Sequence, residues 1–229
     1  MSREPGLFRA LPGDKPIFPR DPVEWIFRAF AVLLAITVHE LSHAWSAYKL
    51  GDPTAKQMGR LSLNPIVHMD PIGTILLLLV GFGWAKPVPV NRLNFRHPGR
   101  DNALVSLAGP AANMACAVVF GLALRPFIHA GNGAGTSALA SSFQLLAFNI
   151  VIISLVLAVF NLIPIPPLDG SHILRELLPP SLQRGFDEFS NYGSFLLIAI
   201  LILASFTGIL GGILWPAVVF LFKLITGTW

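Results

Sequence analysis

The chain has 229 residues, of which 54% are hydrophobic and only 12% charged, and its mean hydropathy is +0.67. A soluble domain carries about 25% charged residues, so this chain lacks the polar side chains to cover a water-facing globule, and lipid must cover much of it. The net charge of +4 does not point to nucleic acid, because Lys and Arg fall between apolar runs and form no dense basic face.

Residues 1–21 read as an irregular arm, broken by Pro5, Pro12, Pro16 and Pro19 and lacking the apolar core of a signal peptide. Residues 22–229 read as one membrane-embedded domain without internal repeats. Its first helix is expected over Pro22 to Leu50. Asp21 is placed to cap it, Pro22 occupies the first helical position, and Gly51 and Pro53 stop it. The apolar run Trp25 to Val38 ends against His39-Glu40-Leu41-Ser42-His43. Residues four apart share a helix face. Both imidazoles can therefore reach one zinc ion, and the intervening Glu40 can serve as general base toward an activated water. Ionisable groups on a spanning segment are costly in lipid and functional by default.

The stretch from Leu61 to Val90 is rich in turn formers. Its apolar part, Pro71 to Gly83, is 13 residues long and as helix covers only about 20 Å, short of the roughly 30 Å hydrocarbon core. It is therefore expected to be re-entrant. Trp84 to Val90 contains two prolines and suits an extended or hairpin piece. Asp101 to Leu124 is the second expected span, with a small-residue stripe at Gly109, Ala111, Ala112 and Ala115 suited to close helix packing. The one cysteine, Cys116, lies inside it and excludes an internal disulfide or a cysteine-only zinc site. Ala130 to Ser142 reads as a loop and Phe143 to Ile163 as the third span. Pro164, Pro166 and Pro167 end that span, and Leu168-Asp169-Gly170 follows. A catalytic zinc takes three protein ligands and keeps one position open, and Asp169 is the best candidate for the third. His172 to Phe189 reads as an interfacial amphipathic helix and Tyr192 to Phe206 as a fourth span. Ile213 to Ile225, beyond the Gly208, Gly211 and Gly212 cluster, suits either a short span or an interfacial helix.

His39-Glu40-x-x-His43, then Gly109-Pro110-Ala111-Ala112-Asn113, then Asn161-Leu162-Ile163-Pro164-Ile165-Pro166-Pro167-Leu168-Asp169-Gly170, stand in an order and at separations that resemble the site-2 protease family of intramembrane zinc metalloproteases. The stretches Gly59 to Pro65, Asp70 to Thr74 and Gly83 to Val90 resemble its compact members, which lack a PDZ domain. The resemblance implies an all-α polytopic membrane protein of four to five spanning helices with a short re-entrant or β-hairpin segment. It implies one zinc per chain on His39, His43 and Asp169, with Glu40 as acid and base. It also implies Asn161 beside the metal, where an amide could hold substrate backbone or a developing oxyanion, and Asn113 as a supporting residue. His172, three residues past Asp169, is a candidate to orient that carboxylate or to cap the next helix. The expected partners are membrane-anchored protein substrates and the bilayer, with no nucleic acid, and self-association is left open. Trp84 to Val90 is a candidate strand for pairing with an unwound substrate.

Lys86, Arg92, Arg96 and Arg100 between the re-entrant piece and the second span, against no Lys or Arg in 126–140, place the former in the cytosol of a bacterial or archaeal cell. Asp169 then lies near the cytosolic face, and for His39 and His43 to meet it the first helix must start outside, despite Arg3, Arg9, Lys15 and Arg20 in the arm. His68 and His97 read as surface or supporting loop residues, and His129 as remote from the site. A metal transporter or a non-catalytic membrane binding protein with the same zinc site is the alternative; the apolar spans offer a transporter no polar path, and a silent protein has no use for Glu40.

Overall fold

A computed structural model describes residues 22–73, 84–129 and 137–228. Helix α1 runs Pro22–Lys49 and is followed by the short α2, Thr54–Gln57. Farther along the chain come α3, Pro98–His129, and α4, Ala138–Asn161. The remainder comprises α5 (Asp169–Leu177), α6 (Pro180–Ser190), α7 (Gly193–Thr207) and α8 (Ile209–Thr226). Helices α1, α3 and α4 pack against one another as the central three-helix unit, with α5 against α3 and with α8 against α3 and α4.

Small residues let these helices approach. Ala31, Ala35, Ala44 and Ala47 of α1 are buried along the stripe that carries His39 and His43. Gly109, Ala117 and Gly121 continue an equivalent stripe on α3. Without a hydrophobic driving force between helices in lipid, such close backbone contact supplies much of the association. At the far end of α3, Leu124 joins Val151 and Leu155 of α4 and Val218, Phe222 and Ile225 of α8 in one apolar cluster.

Three helices, α1, α3 and α4, are long and apolar enough to cross a bilayer. Counting the bent pair of α6 and α7 as one span gives four among the described residues, the lower end of the expected four to five. The segment read as a fourth span, Tyr192 to Phe206, is the 15-residue helix Gly193–Thr207, which would cover only about 22 Å. It reaches spanning length only together with α6, from which it is bent by 66°. The amphipathic helix expected over 172–189 is two helices, because Pro179 and Pro180 follow Leu178 and the residue before a proline leaves the helical region. Helix α8 begins at Gly208, whose φ of +69° is left-handed, and continues through Pro216.

Two helices start earlier than expected. Pro98 takes the first position of α3, and the Asp101 carboxylate accepts from the His97 N–H at 2.9 Å to close the first turn. Ser137 caps α4 by accepting from the Ala140 N–H at 3.2 Å, so Ala138 to Ser142 is helix and not loop. Trp84 to Val90 is extended, but among the described residues it forms no strand pair beyond one isolated antiparallel bridge, Met69 with Ala85. Of the two expected alternatives, extended or hairpin, the extended one is seen among the described residues. The arm 1–21 and residues 74–83 of the expected re-entrant piece lie outside the described residues.

Candidate metal centre

Helix α1 carries His39 and His43 on one face, and the turn after α4 delivers the third group. Pro164, Pro166 and Pro167 prevent α4 from continuing. The chain folds back through Ile165 N–H to Ile163 O at 2.8 Å and Leu168 N–H to Ile165 O at 2.9 Å, so that α5 opens at Asp169. Gly170 is required there, because a Cβ would strike the carbonyl oxygens of Leu162 and Ile163. The result places Asp169 Oδ2 3.1 Å from His39 Nε2 and 3.3 Å from His43 Nε2, while the two Nε2 atoms stand 3.1 Å apart.

Three atoms rich in lone pairs face each other, and the hydrogen bonds behind them say which are free. His43 Nδ1 lies 2.7 Å from the Val105 carbonyl, which can only accept, so the proton sits on Nδ1 and Nε2 presents a lone pair. His39 Nδ1 lies 3.2 Å from the Asn113 carboxamide, whose Oδ1 is otherwise buried without a partner. With that amide oriented oxygen-first, His39 Nδ1–H donates to Asn113, the orphan oxygen is satisfied and His39 Nε2 is likewise free. Asp169 Oδ2 is itself buried without a hydrogen bond. A tetrahedral ion with bonds of about 2.0–2.2 Å holds its donor atoms about 3.3–3.6 Å apart, so separations of 3.1–3.3 Å need to open by only a few tenths of an ångström to seat a divalent cation among two imidazoles and a carboxylate. Gly109 leaves the room, since a Cβ there would lie 2.7 Å from His39 Nε2 and would also collide with His43 Nε2. Burial alone would push the Asp169 carboxyl up, but the His39 and His43 imidazoles outweigh it and hold the group well below the usual carboxylate range.

These groups open onto a cavity of about 860 Å³, and Glu40, buried, is in its wall beside the two histidines. Asn161 and His172 also line it. The Asn161 amide N–H donates back to Leu157 O at 2.9 Å, within its own helix. No hydrogen bond joins His172 to Asp169 among the described residues. A further part of the wall is the extended segment from Trp84 to Val90, through Trp84, Ala85, Pro87, Val88 and Val90. The Arg60 guanidinium anchors it, with Nη1 donating to Pro87 O at 3.1 Å and Nη2 donating to Lys86 O. Asp52 fixes its far end by accepting from the Asn91 N–H and the Asn94 amide, each at 2.7 Å. His68, read as a surface or supporting loop residue, is fully buried and supports this wall, its carbonyl accepting from the Lys86 N–H at 2.9 Å. The roles of Arg60, Asp52 and Gly109 were not read from the sequence, because each depends on partners up to 70 residues away. Buried charge in a polytopic chain was the available signal.

Comparison with known proteins bears on this arrangement. The profile of peptidase family M50 matches residues 127–204. A Bacillus subtilis protein, YwhC, is 41% identical over 192 residues, covering 83% of this chain and 84% of the relative. The chain belongs to peptidase family M50, the site-2 protease family. Rip2 of Mycolicibacterium smegmatis is 30% identical over 175 residues, 74% of this chain and 64% of that protein. MJ0611 of Methanocaldococcus jannaschii is 30% identical over 151 residues, 66% of this chain and 70% of that one. All three relatives bear the name "Putative zinc metalloprotease". No solved structure matches the chain. Family membership and the long apolar helices together make this M50 chain a multi-pass membrane protein.

Proposed function

We propose that this chain is a zinc metalloendopeptidase that hydrolyses peptide bonds in or beside the transmembrane segments of membrane-anchored proteins, as in regulated intramembrane proteolysis. The observation that carries the reading is the convergence of His39 Nε2, His43 Nε2 and Asp169 Oδ2 within 3.1–3.3 Å of one another in the wall of a cavity that Glu40 shares. His39, His43 and Asp169 would hold the zinc, which when bound supplies Lewis-acid polarisation of the scissile carbonyl and makes a water nucleophilic near neutral pH.

The chain's own residues do the rest. Asn113 and the Val105 carbonyl keep both imidazoles in the tautomer whose Nε2 faces the site. Glu40 accepts the proton of the attacking water and returns it to the leaving amine. A transmembrane helix hides its carbonyls in internal hydrogen bonds and has to unwind before attack. The extended segment at Trp84 to Val90 offers such a chain a strand to pair with. In its Lys-Pro-Val-Pro-Val run only Lys86, Val88 and Val90 carry N–H groups; that of Lys86 is taken by the His68 carbonyl, which leaves those of Val88 and Val90 for a substrate strand. The basic residues Lys86, Arg92, Arg96 and Arg100 support a place for this end of the protein at the cytosolic face of the cell membrane.

The test replaces Glu40 by Gln in the zinc-loaded chain, reconstituted with a quenched-fluorescent single-span peptide. Cleavage should fall by about a thousandfold or more while zinc is retained; cleavage at the wild-type rate would remove the proteolytic reading. Proline substitution at Val88 or Val90 checks the strand-pairing step, and unchanged cleavage in a folded variant would remove that step alone.

A further inference from the structure

Asn102 lies at the amino-terminal end of α3, is 6% exposed and lines the cavity. Its carboxamide Nδ2 is buried with no hydrogen-bond partner. Most buried side-chain donors are satisfied, and an exception inside a ligand cavity calls for a partner that arrives with the ligand. The contrast with Asn161 is direct, because that amide, in the same cavity, is already engaged with Leu157 O.

The placement of Asn102 says what the partner is. One helical turn on, Ser106 is also buried in the cavity wall. Between them is Val105, whose carbonyl accepts from His43 Nδ1–H. Val105 also belongs to the apolar cluster with Ala47 and Phe95 against which Val90 packs. The turn of α3 that bears Asn102 is thus tied on one side to a metal-binding histidine and on the other to the carboxy-terminal end of the extended wall segment. A peptide laid along that segment toward the metal passes this turn, and its unpaired backbone atoms include carbonyl oxygens in need of donors.

We infer that Asn102 is a substrate-binding residue whose carboxamide N–H donates to a main-chain carbonyl of the peptide in the cavity. The inference rests on the peptidase reading above and adds to it a residue outside the family-like motifs. In the free protein the donor is a liability, and the near-isosteric Asn102→Leu removes it. A residue kept for structure loses stability on that change; one kept for substrate leaves the free protein as stable or more so.

The experiment uses the full zinc-loaded chain and the quenched-fluorescent single-span peptide. It compares wild type with Asn102→Leu and Asn102→Ala in KM, kcat and apparent melting temperature. It also measures Kd for the same peptide, by anisotropy, on the Glu40→Gln chain with and without Asn102→Leu. Loss of one neutral hydrogen bond made equally in ground and transition states raises KM and Kd by roughly three- to tenfold and leaves kcat within about twofold. The melting temperature should be unchanged or higher. Unchanged KM and Kd overturn the inference, as do a fall in melting temperature with loss of zinc and an absence of measurable peptide binding to the Glu40→Gln chain. If the wild type binds the peptide but does not cleave it, the peptidase reading fails, and the Kd comparison alone still decides the role of Asn102.

Discussion

Helix α3 does two different jobs along its length. Its amino-terminal half buries Asn102 and Ser106 toward the cavity and Gly109 and Asn113 toward the histidines of α1. Its carboxy-terminal half buries Ala117, Gly121 and Leu124 against apolar side chains of α4 and α8. In lipid the second half gains little from hydrophobicity, because the surrounding chains are as apolar as its partners, and it holds by shape. The first half spends that packing on unsatisfied or metal-facing groups. Stability and function are therefore separable along one helix, and substitutions in the two halves should fail in different ways.

The largest effect is expected at Gly109. A Cβ there collides with both imidazoles, so Gly109→Ala should abolish bound zinc and lower peptide cleavage by about a hundredfold or more while the protein still folds; metal analysis and cleavage rates check this. Asn113→Leu, one turn on, leaves His39 Nδ1 without its partner and should weaken zinc binding roughly 10- to 100-fold, read by chelator competition. Phe222→Ala tests the other half. Phe222 is 2% exposed and meets Phe148 edge-on with ring centroids 5.7 Å apart. Its loss leaves a void, and since lipid already resembles the core, the cost should fall below the roughly 3–5 kcal/mol of a soluble core. The apparent melting temperature should drop with zinc affinity unchanged. A Phe222→Ala protein that lost zinc, or a Gly109→Ala protein that kept it, would break the division.

The smallest effect concerns pH. Burial pushes the Asp52 carboxyl up, but hydrogen bonds from Thr54, Asn94 and Asn91 outweigh it and leave the group below its ordinary value. A folded value below the unfolded one, near 3.9, gives stability that is fully present above that pH and is lost as pH falls through the folded value. Wild type should therefore lose stability below about pH 4 more steeply than Asp52→Asn, which thermal unfolding at stepped pH measures. Equal acid sensitivity would show that Asp52 does not anchor the 91–94 turn.

How much was legible follows the range of the interactions. The His39-Glu40-x-x-His43 pattern is local to one helix, and α1 ends where Gly51 and Pro53 say it must. Asp169 is far along the chain, and it was found because a catalytic zinc calls for a third ligand and Asp169 follows a proline-bounded turn at the end of a span. The starts of α3 and α4 were misplaced by three and five residues because the reading began at apolar residues and passed over Pro98 and the cap at Ser137. The fourth span stands only as a bent pair with α6, because hydropathy measures how apolar a segment is, and Gly193–Thr207 is apolar but short. Asn102, Arg60 and His68 were out of reach, since a loop arginine or histidine reveals its burial only when the segments it bridges are brought together.

The central claim is that two turns of α1 and the start of α5 share one ion. Zinc analysis of the purified chain, beside Asp169→Ala purified in the same way, tests it most directly. One zinc per wild-type chain and almost none in the variant is the expected result. A wild-type chain without zinc, or a variant that holds as much as the wild type, would contradict it.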